Sequence, residues 1–166
     1  MLTALLFLSL ICQPSQTPLK VETTLDEQKN VTTQSLGPVR LSGPKNRYHS
    51  LDFSIRRAYE GTTPTTAERI DFDLVSVVKA RSLNSDLYVV FVVDGKQTHF
   101  SSNRSAIRNP VPGRPWIGER MTFSIPYDDF LKITNAKKLS LMMGSEVFDF
   151  DDTAHEALHV FLSSIN

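Results

Sequence analysis

Apolar and polar residues alternate along three segments of the chain, as expected for strands that bury one face. The segments are 48–55 (YHSLDFSI), 70–78 (IDFDLVSVV) and 120–125 (RMTFSI). In the first two, the positions expected to face a core are Leu51, Phe53, Ile55, Ile70, Phe72 and Leu74. We therefore predict three strands with one side in the protein interior.

Two hairpins are predicted by turn residues between strand-like runs. The segment 87–93 (LYVVFVV) is rich in β-branched and aromatic residues, which predicts a central strand buried on both faces. Asp94-Gly95 follows this run and predicts a tight turn into a further strand at 96–101, because glycine accepts the positive φ that such a turn needs. Gly144-Ser145 separates the run 139–143 from Val147, Phe148 and Phe150 in the same way.

Two segments change from a period of two to a helical pattern. Residues 127–136 carry Asp128 and Asp129 where a helix N-terminus favours negative charge, which predicts a short helix. Asp151-Asp152 predicts the start of a final helix at 153–163. At about 100° per residue, its apolar stripe contains Ala154, Leu158, Phe161, Leu162 and Ile165.

Together these elements predict a mainly β (α+β) fold in a single domain at residues 47–166. We expect an antiparallel β-sandwich or open barrel of six to eight strands, with a short helix and a C-terminal amphipathic helix. Residues 103–118 contain three prolines and are expected to form a long irregular loop.

The first 46 residues differ from the remainder. Met1 to Cys12 is almost wholly apolar but too short to span a bilayer, so residues 1–17 are predicted to be a signal peptide. This implies a secreted, periplasmic or cell-envelope protein. Lipidation of Cys12 is disfavoured because bulky Leu10 and Ile11 precede it. Residues 18–46 contain three prolines, and their apolar residues are sparse and follow no period, which predicts a flexible linker.

Composition excludes several classes of function. The 166 residues carry 18 basic and 18 acidic side chains, so the formal net charge is zero. Without an excess of positive charge there is no electrostatic reason to expect nucleic-acid binding. Cys12 is the one cysteine, so the mature chain is expected to have no disulfide or zinc–thiolate site. We expect no cofactor, and no stable membrane span in the mature chain.

The sharpest chemical motif is His155-Glu156-Ala157-Leu158-His159 on the predicted final helix. In zinc proteases an HExxH helix supplies two metal ligands and a catalytic glutamate. A third ligand is needed, and the seven residues after His159 contain no histidine or carboxylate. We therefore favour two boundary histidines on a solvated helix edge, and keep a zinc site at His155 and His159 as the alternative.

The candidate recognition surface is the loop 109–116 (NPVPGRPW), where Arg114 and Trp116 would contact a protein or carbohydrate if exposed. The competing interpretation, which we favour for Trp116, is burial over one end of the core. Asp71 and Asp73 share one strand face, where solvation is a simpler explanation than ligand binding. No nucleophile or phosphate-binding motif occurs, so no catalytic residue is assigned.

The segment from Met121 to Leu162 resembles a segment that recurs in uncharacterised small bacterial exported proteins. The residues that carry the resemblance are Ile125-Pro126-Tyr127, Phe130-Leu131-Lys132-Ile133, Asn135-Ala136-Lys137, Gly144, Phe148, Phe150 and Glu156-Ala157-Leu158. It covers about a quarter of the chain and implies export but no known activity. The histidines of the HExxH motif are not a fixed feature of that pattern.

Three hypotheses about function follow from these patterns. The leading one is an exported, non-enzymatic binding or interaction module. The second is a zinc-dependent hydrolase built on the HEALH helix, which needs a third ligand and an open cleft. The third is an accessory protein of the cell envelope. The ligand or partner is not identified by the sequence.

Overall fold

The computed structural model describes residues 19–43, 48–78, 89–100, 107–110 and 117–165, and contains ten strands and two helices within those ranges. The strands are β1 (Glu22–Asp26), β2 (Val31–Arg40), β3 (Tyr48–Glu60), β4 (Arg69–Val78), β5 (Val89–Val93), β6 (Lys96–Phe100), β7 (Ile107–Pro110), β8 (Ile117–Pro126), β9 (Leu139–Met143) and β10 (Glu146–Asp149). The helices are α1 (Tyr127–Thr134) and α2 (Asp152–Ser164).

The strands form two antiparallel sheets. One has six strands in the order β1-β2-β3-β4-β8-β7, and the other has four in the order β10-β9-β5-β6. A single bridge between Ser42 and Asp149 connects the segment after β2 to β10. The predicted mainly β (α+β) fold with two helices is confirmed, as a two-sheet sandwich. Strands β1, β2 and β7 bring the described total to ten rather than six to eight.

Phenylalanines from both sheets and both helices fill the interior. Phe72 of β4 lies 5.4 Å from Phe123, 5.6 Å from Phe91 of the four-stranded sheet and 6.2 Å from Phe130 of α1, between ring centroids. All four rings are buried. Such pairs add a preferred ring geometry to the burial of a large apolar area. The alternation predicted for β3, β4 and β8 is confirmed, because its apolar side faces this cluster.

Helix α2 begins at Asp152, where the pair Asp151-Asp152 predicted a helix start. The Asp151 carboxylate accepts a hydrogen bond from Ala154 N at 3.0 Å, which satisfies one of the free N–H groups of the first turn. The other Asp151 oxygen accepts from Ser42 Oγ at 3.1 Å, so the cap also holds the segment after β2. The buried face contains Ala154, Ala157, Leu158 and Phe161.

The prediction of a flexible linker over residues 18–46 is wrong for β1 and β2. Thr32, Gln34 and Leu36 of β2 are buried at alternate positions, and Val39 and Leu41 also join the core. Two of the inward positions carry polar side chains, so the hydrophobic pattern does not reveal the strand. Backbone pairing with β3 over Val31 to Leu36 stabilises it instead.

Two further expectations need correction. Residues 103–118 are not irregular throughout, because β7 pairs with β8 from Ile107↔Arg120 to Pro110↔Ile117. Strand β5 lies between β6 and β9, as a central strand should. It is not buried on both faces, since Val89 and Phe91 are buried whereas Val90 and Val92 are partly exposed.

We expect Phe72→Ala to lower the free energy of unfolding by about 3–5 kcal/mol, because it removes a ring from the centre of the aromatic cluster and leaves a cavity. Val75→Ala is the matched control on the same strand, since Val75 is 40% exposed on the outer face. Its cost should stay within about 0.5 kcal/mol. Urea unfolding measures both, and similar losses would contradict this account of the core.

Asp151→Ala should cost about 1 kcal/mol of stability, because Ala154 N loses its acceptor at the start of α2. Asp151→Ser should retain most of the stability, since a serine hydroxyl caps a helix equally well. Thermal unfolding of the three proteins tests this. Equal losses in both variants would show that the carboxylate charge, rather than capping, stabilises this end of the helix.

Candidate functional site

The two histidines of the HEALH motif lie on the outer side of α2. His155 is partly buried and its ring lies 6.3 Å from the Phe150 ring centroid, whereas Glu156 and His159 are exposed. The neighbours Ala157 and Leu158 point inward and belong to the core. The helix therefore presents the motif at its solvent edge, as the angular count indicated.

A metal site needs a third ligand near this edge. In the part of the chain that the structure describes, no group of three or more histidine, cysteine, aspartate or glutamate side chains is close enough to hold an ion. His155 and His159 therefore have no described third partner, and the zinc-site alternative gains no support from the geometry.

Arg114 and Trp116, the candidate recognition residues, belong to segment 111–116, which lies outside the described residues. The flanking residues Pro110 and Ile117 are register partners at the ends of β7 and β8. The role of Arg114 and Trp116 therefore stays a prediction.

Asp71 and Asp73 are engaged in ion pairs across the outer face of the six-stranded sheet. The Asp73 carboxylate accepts from Arg120 Nε at 2.8 Å, and Asp71 lies 3.4 Å from Arg56 Nε. Ser124 Oγ also donates to Asp71. Cross-strand pairs of this kind stabilise a sheet modestly and keep its face soluble. The ion pair with Arg120 on the neighbouring strand is therefore a sufficient reason for a carboxylate at Asp73.

A cavity opens where β3 and β4 separate. The register of the pair ends at Arg56↔Asp71, but β3 continues against β2 as far as Glu60, and β4 continues against β8 back to Arg69. The connection 61–67 closes the resulting wedge. We call this space of about 590 Å³ the β3–β4 cavity; its lining residues are Arg57, Ala58, Tyr59, Thr65, Thr66, Ala67, Glu68, Arg69, Asp71 and Ser124.

Arg57 is the buried cation of the β3–β4 cavity, with 3% of its surface exposed. Its Nε donates to Gln34 Oε1 at 2.6 Å, which follows from the strand register because Gln34 and Arg57 are direct partners on β2 and β3. Its Nη1 donates to Thr65 O at 3.2 Å and to Ile165 O at 3.4 Å. One guanidinium thus joins β2, the connection 61–67 and the residue after α2.

The remaining nitrogen, Arg57 Nη2, is buried and has no hydrogen-bond partner among the described residues. Ser76 Oγ and Thr134 Oγ1 are also buried without a hydrogen-bond partner, but both are neutral hydroxyl oxygens. A buried donor on a charged group is far more costly to leave unpaired than a hydroxyl. The unpaired Nη2 therefore marks this guanidinium as a place where an acceptor would bind favourably.

Burial lowers the pKa of the Arg57 guanidinium, because removal from water disfavours the charged form. The Tyr59 and Tyr127 side chains oppose that shift. The Tyr59 ring centroid lies 5.1 Å from the guanidinium carbon, a distance at which an aromatic ring attracts a cation. An arginine remains charged at neutral pH even so, and its positive charge is held by aromatic and polar neighbours.

The mouth of the β3–β4 cavity carries charges of both signs. Glu68 and Arg69 are exposed, and Arg69 Nη2 donates to Ser124 O at 2.8 Å. Thr65, Thr66 and Ser124 add hydroxyl groups, and the described lining includes no histidine or cysteine. These groups can bind and orient a small polar ligand. The one described hydroxyl–carboxylate pair in the lining, Ser124 Oγ donating to Asp71, has its carboxylate offset by Arg56 and no histidine in the lining beside it.

Arg57 was missed because the predicted strand stopped at Ile55. The signal was present: two more steps of the period that buries Leu51, Phe53 and Ile55 reach Arg57 and then Tyr59. An arginine on the inner side of a strand is rarely left without partners. That position would have been a reason to expect a polar site.

A second cavity, of about 350 Å³, lies between the β5–β6 hairpin and α1. Phe100 and Ile133 form its apolar part, and Lys96, Asp129 and Lys132 are at its polar side. Lys132 is already paired with Asp129 at 2.7 Å. Among the described residues that line this second cavity, no buried charged group lacks a partner. The β3–β4 cavity is therefore the stronger candidate for a ligand site.

Comparisons with protein-family models, curated proteins and solved structures gave no match to this chain. Neither described helix is long and apolar enough to cross a membrane. The function therefore has to be inferred from the geometry of the chain itself.

We expect the purified, untagged protein to contain no stoichiometric zinc, because His155 and His159 have no third ligand in the described part of the chain. Elemental analysis of the protein and of the double variant His155→Ala/His159→Ala measures this. About one zinc per chain that disappears in the double variant would contradict the prediction and favour the hydrolase.

Proposed function

We propose that this protein is an exported, non-enzymatic binding module whose ligand site is the β3–β4 cavity. The observation that carries the proposal is the cavity in the sheet wedge with a buried, incompletely bonded arginine beside it. Sites for small molecules are concave and hold a few polar groups at fixed positions.

The rigidity of the walls supports a binding role. Arg57, Ala58 and Tyr59 belong to β3, which is paired with β2, and Arg69 and Asp71 belong to β4, which is paired with β8. Side chains on paired strands are held in place before a ligand arrives, so less entropy is lost on binding. The connection 61–67 is the wall without regular structure, and it would allow entry.

Export is proposed from the apolar segment 1–12 and from the resemblance of residues 121–162 to exported proteins. A secreted, periplasmic or cell-envelope location would suit a domain that captures a small molecule or a partner. The loop with Arg114 and Trp116 remains a proposed surface for a protein or carbohydrate. The zinc-dependent hydrolase and the envelope accessory protein are the alternatives, and no described contact favours either.

The test is a screen of small polar fragments by ¹⁵N–¹H spectra of the ¹⁵N-labelled protein. We expect ligands to shift backbone amides of 57–59 and 65–71. Ala58→Phe should weaken binding at least about tenfold, because Ala58 is exposed and a ring there fills the space. Val75→Phe is the matched control, since it adds the same ring to an exposed outer-face position that does not line the cavity.

Two results would contradict the proposal. One is a screen without any ligand that shifts these amides. The other is a set of ligands that Ala58→Phe binds as tightly as the unchanged protein does, which would place their site elsewhere.

A further inference from the structure

We propose that the ligand of the β3–β4 cavity is a small, singly charged carboxylate that accepts hydrogen bonds from Arg57 Nη2. This inference rests on the proposed binding function and adds the chemical class of the ligand. It follows from the unfilled bonding capacity of Arg57, from the balance of charge around it and from the wall that can move.

The bonding capacity of Arg57 is incomplete on one side. A guanidinium has five N–H groups. The bonds to Gln34, Thr65 and Ile165 involve Nε and Nη1, and neither N–H of Nη2 has an acceptor among the described residues. An oxygen placed there would complete the set, and hydrogen bonds between a guanidinium and a carboxylate are stronger than those between neutral groups.

No described carboxylate forms an ion pair with Arg57. Its three hydrogen-bond acceptors among the described residues are a side-chain amide and two backbone carbonyls, which are neutral. Tyr59 and Tyr127 are the side chains that favour its charged form, and both are weak partners compared with a carboxylate. A buried charge is stable when it is paired as well as hydrogen-bonded. A ligand carboxylate would supply the missing negative charge.

The other lining charges limit how negative the ligand can be. Glu68 and Asp71 line the same cavity, and their carboxylates would repel a phosphate ester or a polyphosphate. Asp71 is offset by Arg56, and Glu68 and Arg69 place one charge of each sign at the exposed mouth. Phosphate sites usually collect several cations or backbone N–H groups. One buried guanidinium suits a single negative charge better.

The ligand must displace one wall to reach Nη2, because that nitrogen is buried. The β3 and β4 walls are fixed by strand pairing. The connection 61–67 is largely exposed and is held by Arg57 Nη1 at Thr65 O and by Thr32 Oγ1 at Gly61 O. We therefore expect this connection to shift outward on binding, and its amide signals to change most.

The experiment compares N-acetylglycine with N-acetylglycinamide, which has nearly the same shape but no charge. Both are titrated into the ¹⁵N-labelled full chain at neutral pH, with the amides of 61–67 and the Nε–H signal of Arg57 as readouts. We expect the acid to bind at least about tenfold more tightly than the amide, and more tightly than inorganic phosphate. The Arg57 signal should move with the acid, which tests the contact without any substitution.

Two variants locate the charge that is responsible. Arg57→Gln should abolish the preference for the acid over the amide, whereas Arg40→Gln should keep it. Arg40 is the matched control because it is an exposed arginine of β2 that pairs with Asp52 and does not line the cavity. If Arg57→Gln does not fold, the shift of the Arg57 Nε–H signal in the unchanged protein still decides the question.

Several outcomes would overturn the carboxylate proposal. If the amide or inorganic phosphate binds as tightly as the acid, the ligand class is wrong while the cavity remains a binding site. If neither N-acetylglycine nor N-acetylglycinamide binds but neutral fragments from the screen do, the carboxylate class is also wrong and the cavity remains a binding site. If nothing binds in the cavity, the proposed function fails as well.

Discussion

The packing of Phe72 against Phe91 connects the two sheets, and the remainder of the fold depends on that contact. It places β4, at the centre of the larger sheet, over β5 of the smaller one. The centroids of the two rings are 5.6 Å apart. Phe123 and Phe130 extend the same cluster to β8 and α1. Because a tightly packed interior tolerates little change in volume, these rings fix how the strands of both sheets lie.

The candidate site lies where that aromatic packing ends. On the inner side of β3, the buried series Leu51, Phe53 and Ile55 is followed by Arg57, a cation with neutral partners. At this end the cover comes from the connection 61–67 and from Ile165 after α2 rather than from a second sheet. Loss of pairing between β3 and β4 beyond Arg56 opens the wedge at the same place. An apolar core and a polar end covered by a connection without regular structure thus occur in one pair of strands.

The contrast between Arg57 and the HEALH motif shows why sequence motifs and geometry disagree about the site. The motif has the spacing of a metal-binding helix, but α2 turns Ala157 and Leu158 inward and leaves His159 and Glu156 in solvent. Arg57 belongs to no motif, yet it joins three parts of the chain. Chemistry requires convergence of groups in space, which spacing along one helix does not provide.

The sequence by itself determined the strands that contain runs of alternating apolar inward positions, the Asp94-Gly95 turn and the capped helix α2, because each depends on residues close along the chain. Only the tertiary structure decided β2, whose inward positions include Thr32 and Gln34, and β1, since β2 is held by pairing with β3 and β1 by pairing with β2. The β3–β4 cavity was also beyond local pattern. It arises because two strands follow different partners after Arg56, and register between distant segments is a property of the folded chain.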